Sequence, residues 1–133
     1  MLKDLANKYY SKEYDFNCAE AVLYACDEYY NLNLDKKTFK TMAGFGGGVA
    51  VESICGAISG GVAVIGILFV DQKSHESDKI KSLTYNFVKD VEDELGTSNC
   101  KELKDKYRDD VLRCEIVVQK IAQILEDTID SQK

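Results

Sequence analysis

The stretch Ile54-Cys55-Gly56-Ala57-Ile58-Ser59-Gly60-Gly61-Val62-Ala63-Val64-Ile65-Gly66-Ile67-Leu68-Phe69 decides the fold. It carries no charge, and Glu52 and Asp71 bracket it. A membrane span needs about 20 consecutive apolar residues, so this shorter run reads as a buried central helix. Its glycines cost helix stability, so each marks a place where another helix comes close. Gly56 and Gly60 form a small-xxx-small pair suited to that approach.

The chain on either side reads as further helices. Just upstream, Gly44-Phe45-Gly46-Gly47-Gly48 predicts a special turn or a close backbone approach. Before it, Asp35 caps a short helix with Phe39, Met42 and Ala43 on its apolar side. Asn17 followed by Glu20 has the form of a capping box, which starts a helix over Cys18–Tyr30 that Asn31 and Asn33 end. Leu2, Leu5, Ala6 and Tyr9 give a first short helix. Downstream, Ile80, Leu83, Phe87, Val88, Val91 and Leu95 predict a long amphipathic helix over 74–95, stopped by Gly96. Ser98 or Asn99 caps a short helix from Cys100 to Tyr107. The last helix is expected from about Asp110 to Ile129, with Val111, Cys114, Val117, Val118 and Ile121 inward. No segment alternates long enough to be a strand. The expectation is an all-α fold, one compact domain over 1–133 with about five to seven helices around the Gly-rich central one.

Composition narrows the function classes. The 133 residues include Lys+Arg 17, Asp+Glu 23, His 1, Pro 0, Trp 0 and Cys 5, for a net charge of −6. An acidic chain lacks the basic face that nucleic acid or an anionic membrane requires. One histidine excludes a multi-histidine metal site within one chain. The opening MLKDLANKYYSKEYDF has no apolar signal-peptide core, so a cytoplasmic location with reduced thiols is expected. There is no P-loop, no H-E-x-x-H and no C-x-x-C. Position 49, where a dinucleotide fingerprint starting at Gly44 needs glycine, is Val49, and the cluster follows a helix instead of a strand. His75, between Ser74 and Glu76, reads as a solvated helix-start residue.

The cysteines hold the chemical information. Cys18, Cys55 and Cys100 all fall at expected helix starts, where free N–H groups and the helix dipole lower a thiol pKa. Against this, Glu20, Glu52, Glu102 and Glu115 lie near the thiols in sequence, with only Lys101 and Arg113 on the favourable side. Cys26, among Val22, Leu23 and Tyr30, reads as a core residue. On one straight helix Cys100 and Cys114 would lie about 21 Å apart, so a break is expected in the charged stretch 104–110.

The order of motifs is NCAEAVL around Cys18, GFGGG at 44–48, CGAISG at 55–60, Cys100-Lys-Glu-Leu103 and Arg113-Cys114. It resembles a family of small bacterial and archaeal proteins labelled by the cysteine pattern C_GCAxxG_C_C and described as redox-active. The resemblance spans about residues 4 to 126. It implies that Cys18, Cys55, Cys100 and Cys114 are the pattern cysteines and that Cys26 lies outside the pattern.

Two chemistries compete for these thiols. One is thiol–disulfide exchange or electron transfer with a redox partner protein, with Cys55 as nucleophile and Cys100 or Cys18 resolving the mixed disulfide. The other uses Cys18, Cys55, Cys100 and Cys114 as ligands to a zinc ion or an iron–sulfur cluster. A helical packing module is the plain alternative. Gly46, Gly47 and Gly48 either make a tight turn or present N–H groups to an anion or cluster sulfide. The pairs Tyr9-Tyr10 and Tyr29-Tyr30 either form a homodimer face or flank the core.

Overall fold

The computed structural model describes residues 1–132. Its helices are α1 (Leu2–Tyr10), α2 (Cys18–Tyr30), α3 (Lys36–Lys40), α4 (Gly56–Phe69), α5 (Ile80–Leu95), α6 (Cys100–Tyr107) and α7 (Glu115–Asp130). Among the described residues there is no strand, only isolated antiparallel bridges at Ile54/Asn99 and Asp109/Arg113. None of these helices is long and apolar enough to cross a membrane.

The helix starts follow local chemistry. Asn17 Oδ1 accepts the Glu20 N–H at 2.8 Å, and Glu20 Oε1 accepts the Asn17 N–H at 3.0 Å. This reciprocal pair satisfies two donors that a helix leaves free and fixes where α2 begins. At the far end Asn31 turns left-handed, with φ 54°. Helix α1 has no local side-chain cap. Instead the Leu2 N–H donates to Glu126 Oε1 at 2.9 Å, a buried carboxylate brought by α7. That negative charge also complements the helix dipole.

Helix α4 packs against α2, α5 and α7. Small residues allow the approach. A Cβ on Gly60 would lie 2.7 Å from the Ala19 carbonyl of α2, and one on Gly61 2.6 Å from the Phe87 ring of α5. Gly56 likewise faces the start of α2. Leu23, Ile58, Ile65, Phe87, Ile121 and Leu125 fill the interior between these helices. A second, aromatic layer stacks Phe16 on Tyr24 at 4.2 Å and Tyr24 on Phe39 at 3.9 Å.

Two helix starts differ from the sequence expectation. Helix α5 begins at Ile80, because the Ser77 hydroxyl accepts the Ile80 N–H and donates to the Phe69 carbonyl, which ties residues 74–77 to the end of α4. Helix α7 begins at Glu115. Asp109 Oδ1 accepts the Val111 and Leu112 N–H groups, the Asp109/Arg113 bridge closes a tight turn, and Arg113 is left-handed at φ 57°. Val111, expected inside, is therefore 71% exposed. Cys114 sits at the entrance of α7, not within it. Of the tyrosine pairs, Tyr29 is exposed and Tyr30 packs half-buried against the core. Tyr10 is buried, and Tyr9 rings with Tyr14, Phe16 and Tyr24.

Candidate functional site

The glycine cluster folds into a left-handed turn. Gly47, Gly48, Val49 and Ala50 all have positive φ, at 64°, 64°, 59° and 63°. Glycine adopts this region freely, but each non-glycine residue there costs about 1–2 kcal/mol. The surroundings hold the turn in place. Ser53 N–H donates to the Gly48 carbonyl at 2.9 Å, Cys55 N–H to the Ser98 carbonyl at 3.0 Å, and Asn99 Nδ2 to the Glu52 carbonyl at 3.2 Å. Cys100 N–H donates to the Ser53 carbonyl. Asn17 Nδ2 reaches back to the Met42 and Ala43 carbonyls at 3.3 and 3.1 Å. The loop after α3 is thus sewn to the starts of α2, α4 and α6 together. Strain held this firmly is characteristic of functional sites.

Those three helix starts carry Cys18, Cys55 and Cys100. Together with Cys114 at the entrance of α7, they line one cavity of about 220 Å³. All five cysteines are free thiols. Cys26 lies apart in the core, where burial pushes its thiol well above the ordinary range. Among the described residues, no group of three or more Cys, His, Asp or Glu side chains is arranged to hold a metal ion. Cys18, Cys55, Cys100 and Cys114 share the cavity.

Cys18 and Cys55 are in direct contact. The Cys55 thiol donates to the Cys18 sulfur, and this hydrogen bond is the main reason the Cys18 pKa falls to about 7 from an ordinary 9.0. Burial opposes this hydrogen bond, and the N–H groups of Gly47, Ala19 and Cys18 itself add to it. The left-handed turn therefore directs a backbone donor at Cys18, the first residue of α2. Cys55 is pushed the opposite way, first because its proton is held by Cys18 and then by burial. Burial also raises Cys100 and Cys114.

Glycines allow this closeness. A Cβ on Gly56 would overlap Cys18 Sγ, and one on Gly48 would stand 2.7 Å from the Cys100 Cβ. A Cβ on Gly46 would stand 2.7 Å from Asn17. Of Gly46, Gly47 and Gly48, Gly47 lines the cavity.

The remaining lining is mixed, with Leu103, Val117 and Val118 apolar and every charged side chain a cation. Lys104, Arg108 and Arg113 face the cavity with Tyr10, and no carboxylate does. Glu20 is engaged in the capping box, Glu52 pairs with Lys104 at 3.6 Å, and Glu102 accepts from the Thr97 hydroxyl at 3.0 Å. Arg113 Nη2 donates to the Tyr10 carbonyl at 2.7 Å and its guanidinium lies over the Tyr10 ring at 4.4 Å. The Cys114 N–H donates to the Tyr10 hydroxyl at 3.3 Å.

A family model described as "Putative redox-active protein (C_GCAxxG_C_C)" matches residues 16–128. The chain belongs to this family. No curated protein and no solved structure matches it significantly. In this chain Cys18, Cys55, Cys100 and Cys114 come from four separate elements and line one cavity.

Sequence reasoning did not find Tyr10, Lys104 or Arg108. Lys104 had a signal, since it stands four residues after Cys100 and so on the same helix face. Lys101, the nearer neighbour, points away and pairs with Asp105 at 3.7 Å. Tyr10 and Arg108 had no local signal, because they reach the cavity only through the packing of α1 and the turn after α6.

Proposed function

We propose that the chain is a thiol–disulfide redox protein in which Cys18 is the nucleophile and Cys55 resolves the intermediate. The carrying observation is the hydrogen bond from Cys55 to Cys18, which leaves one thiol ionised near neutral pH and its partner protonated beside it. Two equal residues driven to opposite protonation states is the arrangement acid–base assignments rest on. A thiol with a pKa near ambient pH is also the best attacking group, because it keeps nucleophilicity while being ionised.

The steps balance. The Cys18 thiolate attacks one sulfur of a substrate disulfide; a mixed disulfide forms and one thiolate leaves, taking up a proton. Cys55, whose proton passes to solvent or to the leaving thiolate, then attacks Cys18 Sγ. The mixed disulfide breaks, the second thiol departs, and a Cys18–Cys55 disulfide remains. The substrate gains the two electrons that the cysteines lose. An external dithiol reductant returns the protein to its starting state, which fits a reducing compartment such as the cytoplasm. Cys100 and Cys114 face the same cavity and take no part in these steps.

The reading with Cys18, Cys55, Cys100 and Cys114 as ligands of zinc or an iron–sulfur cluster draws on the same convergence. It requires the four sulfurs to move into one coordination sphere, whereas exchange uses the Cys18–Cys55 contact as it stands. The test is trapping. Cys55→Ser exposed to a small disulfide should accumulate a stable mixed disulfide on Cys18, found by peptide mass mapping. Cys18→Ser should form none. A mixed disulfide on Cys100 or Cys114 alone would remove Cys18 from the role.

A further inference from the structure

We infer that the cavity selects a small anionic substrate, a disulfide carrying a carboxylate or comparable negative group close to its sulfurs. The inference rests on the thiol–disulfide reading for its reaction and on a separate observation for its charge. In a chain with Asp+Glu 23 against Lys+Arg 17, the cavity lining holds Lys104, Arg108 and Arg113 and not one carboxylate. The cations exceed what the site itself needs. One Cys18 thiolate is the only anion the lining supplies near neutral pH, and Glu52 offsets Lys104 from the side. Arg113 is committed to the Tyr10 carbonyl and ring. Among the described residues Arg108 has no ion-pair partner, and it stands exposed at the cavity mouth.

Such an arrangement works against the global field. A net charge of −6 repels anions from the surface, so a local cationic funnel changes which molecules reach the sulfur. The size limits the ligand as well. About 220 Å³ lies below the ~300–1,000 Å³ typical of pockets for drug-sized ligands, so one arm of a small disulfide enters while the rest stays outside. The bound anion on Arg108 and Lys104 leaves its disulfide beside Cys18. Attack then proceeds as above, with one S–S bond broken, one formed and the departing thiolate protonated.

The test compares charge at constant chemistry. Alkylation of Cys18 by iodoacetate and by iodoacetamide is followed by mass mapping, with a cysteine peptide as the free-thiol reference. In both reagents the thiolate forms an S–C bond and iodide leaves. The expected iodoacetate-to-iodoacetamide rate ratio exceeds the peptide's by about tenfold, at the low end of electrostatic steering. Arg108→Gln should lower that excess several-fold, and Arg108→Gln with Lys104→Gln should bring the ratio to the peptide's or below. Lys120→Gln, an equal charge change on exposed α7 surface, should leave it unchanged. In parallel, single-turnover reduction of dithiodipropionate, hydroxyethyl disulfide and cystamine should fall in that order, each normalised to the peptide. If the disulfides are reduced with no charge order and the alkylation ratio equals the peptide's, the anion inference is overturned while the exchange reading stands. If no disulfide is reduced although iodoacetate is preferred, the exchange reading fails and the anionic disulfide fails with it.

Discussion

The thiol of Cys55 donates a hydrogen bond to the sulfur of Cys18, across the junction between the first turns of α2 and α4. The two residues are of one type and share one cavity, yet their proton affinities move in opposite directions. What separates them first is that hydrogen bond, which lowers Cys18 and raises Cys55. The Gly47 N–H, held by a left-handed turn, joins the first N–H groups of α2 on Cys18. Cys55 donates its own proton to Cys18, and burial raises it further.

The first prediction concerns ionisation. The rate of Cys18 alkylation by neutral iodoacetamide should rise with pH through a midpoint of about 7. Cys55→Ala removes the strongest donor, so the midpoint should climb toward the ordinary 9.0. A variant midpoint still near the wild-type value would assign the shift to the backbone donors alone.

Gly56 is a packing position at the centre of the site. Its hydrogen faces Cys18 Sγ and the Phe45 carbonyl, with no room for a methyl group. Gly56→Ala should destabilise the fold by about 1–3 kcal/mol through overpacking. It should also push Cys18 away from Cys55, so the alkylation midpoint should rise with the loss of stability. Urea unfolding and the alkylation profile together check both parts.

Asn17 acts on two segments at once, since its side chain caps α2 and holds the loop carbonyls of Met42 and Ala43. Asn17→Ala should cost about 1–2 kcal/mol, at the upper part of the range for a lost cap. Asn17→Asp preserves the cap but not the amide donor to the loop. It should recover most of the helix term while leaving the Gly47 donor misplaced, so stability should return further than Cys18 reactivity does.

Stability should depend on pH with a turning point. Cys18 has a folded pKa of about 7 against an ordinary 9.0, so its contribution is complete above 9.0 and is lost as pH falls toward 7. Cys26, Cys55, Cys100 and Cys114 are shifted up. Their contribution is complete below the unfolded thiol range and is lost as pH rises through it, because the unfolded chain releases those protons first. Unfolding free energy should therefore climb above pH 7, pass through a maximum below 9, and fall beyond it. Cys18→Ser should flatten the rising limb, and a limb that survives the substitution would have another origin.

The helical class was legible because its signals are local. Asn17 and Glu20 form the capping box their spacing implies, Asn99 caps α6, and Gly96 ends α5 in the left-handed region. The start of α7 was not, because Asp109 closes a turn on Val111 and Leu112 that an apolar periodicity overlooks. Helix starts were legible as the location of Cys18, Cys55 and Cys100, since each stands at the cap or first turn of its helix. Which thiol would ionise was not legible. The choice rests first on the Cys55–Cys18 hydrogen bond, with the Gly47 N–H adding to it, and both depend on segments far apart in sequence being held together, as by Asn99 with Glu52.

The measurement that bears most directly on the central claim is cysteine mapping after one equivalent of a small disulfide oxidant. The reduced protein is oxidised, remaining thiols are blocked, and the linked peptides are identified by mass. The account predicts a loss of two thiols and a single new link between Cys18 and Cys55, with Cys26, Cys100 and Cys114 still free. A first link between Cys100 and Cys114, with Cys18 and Cys55 both free, would contradict it.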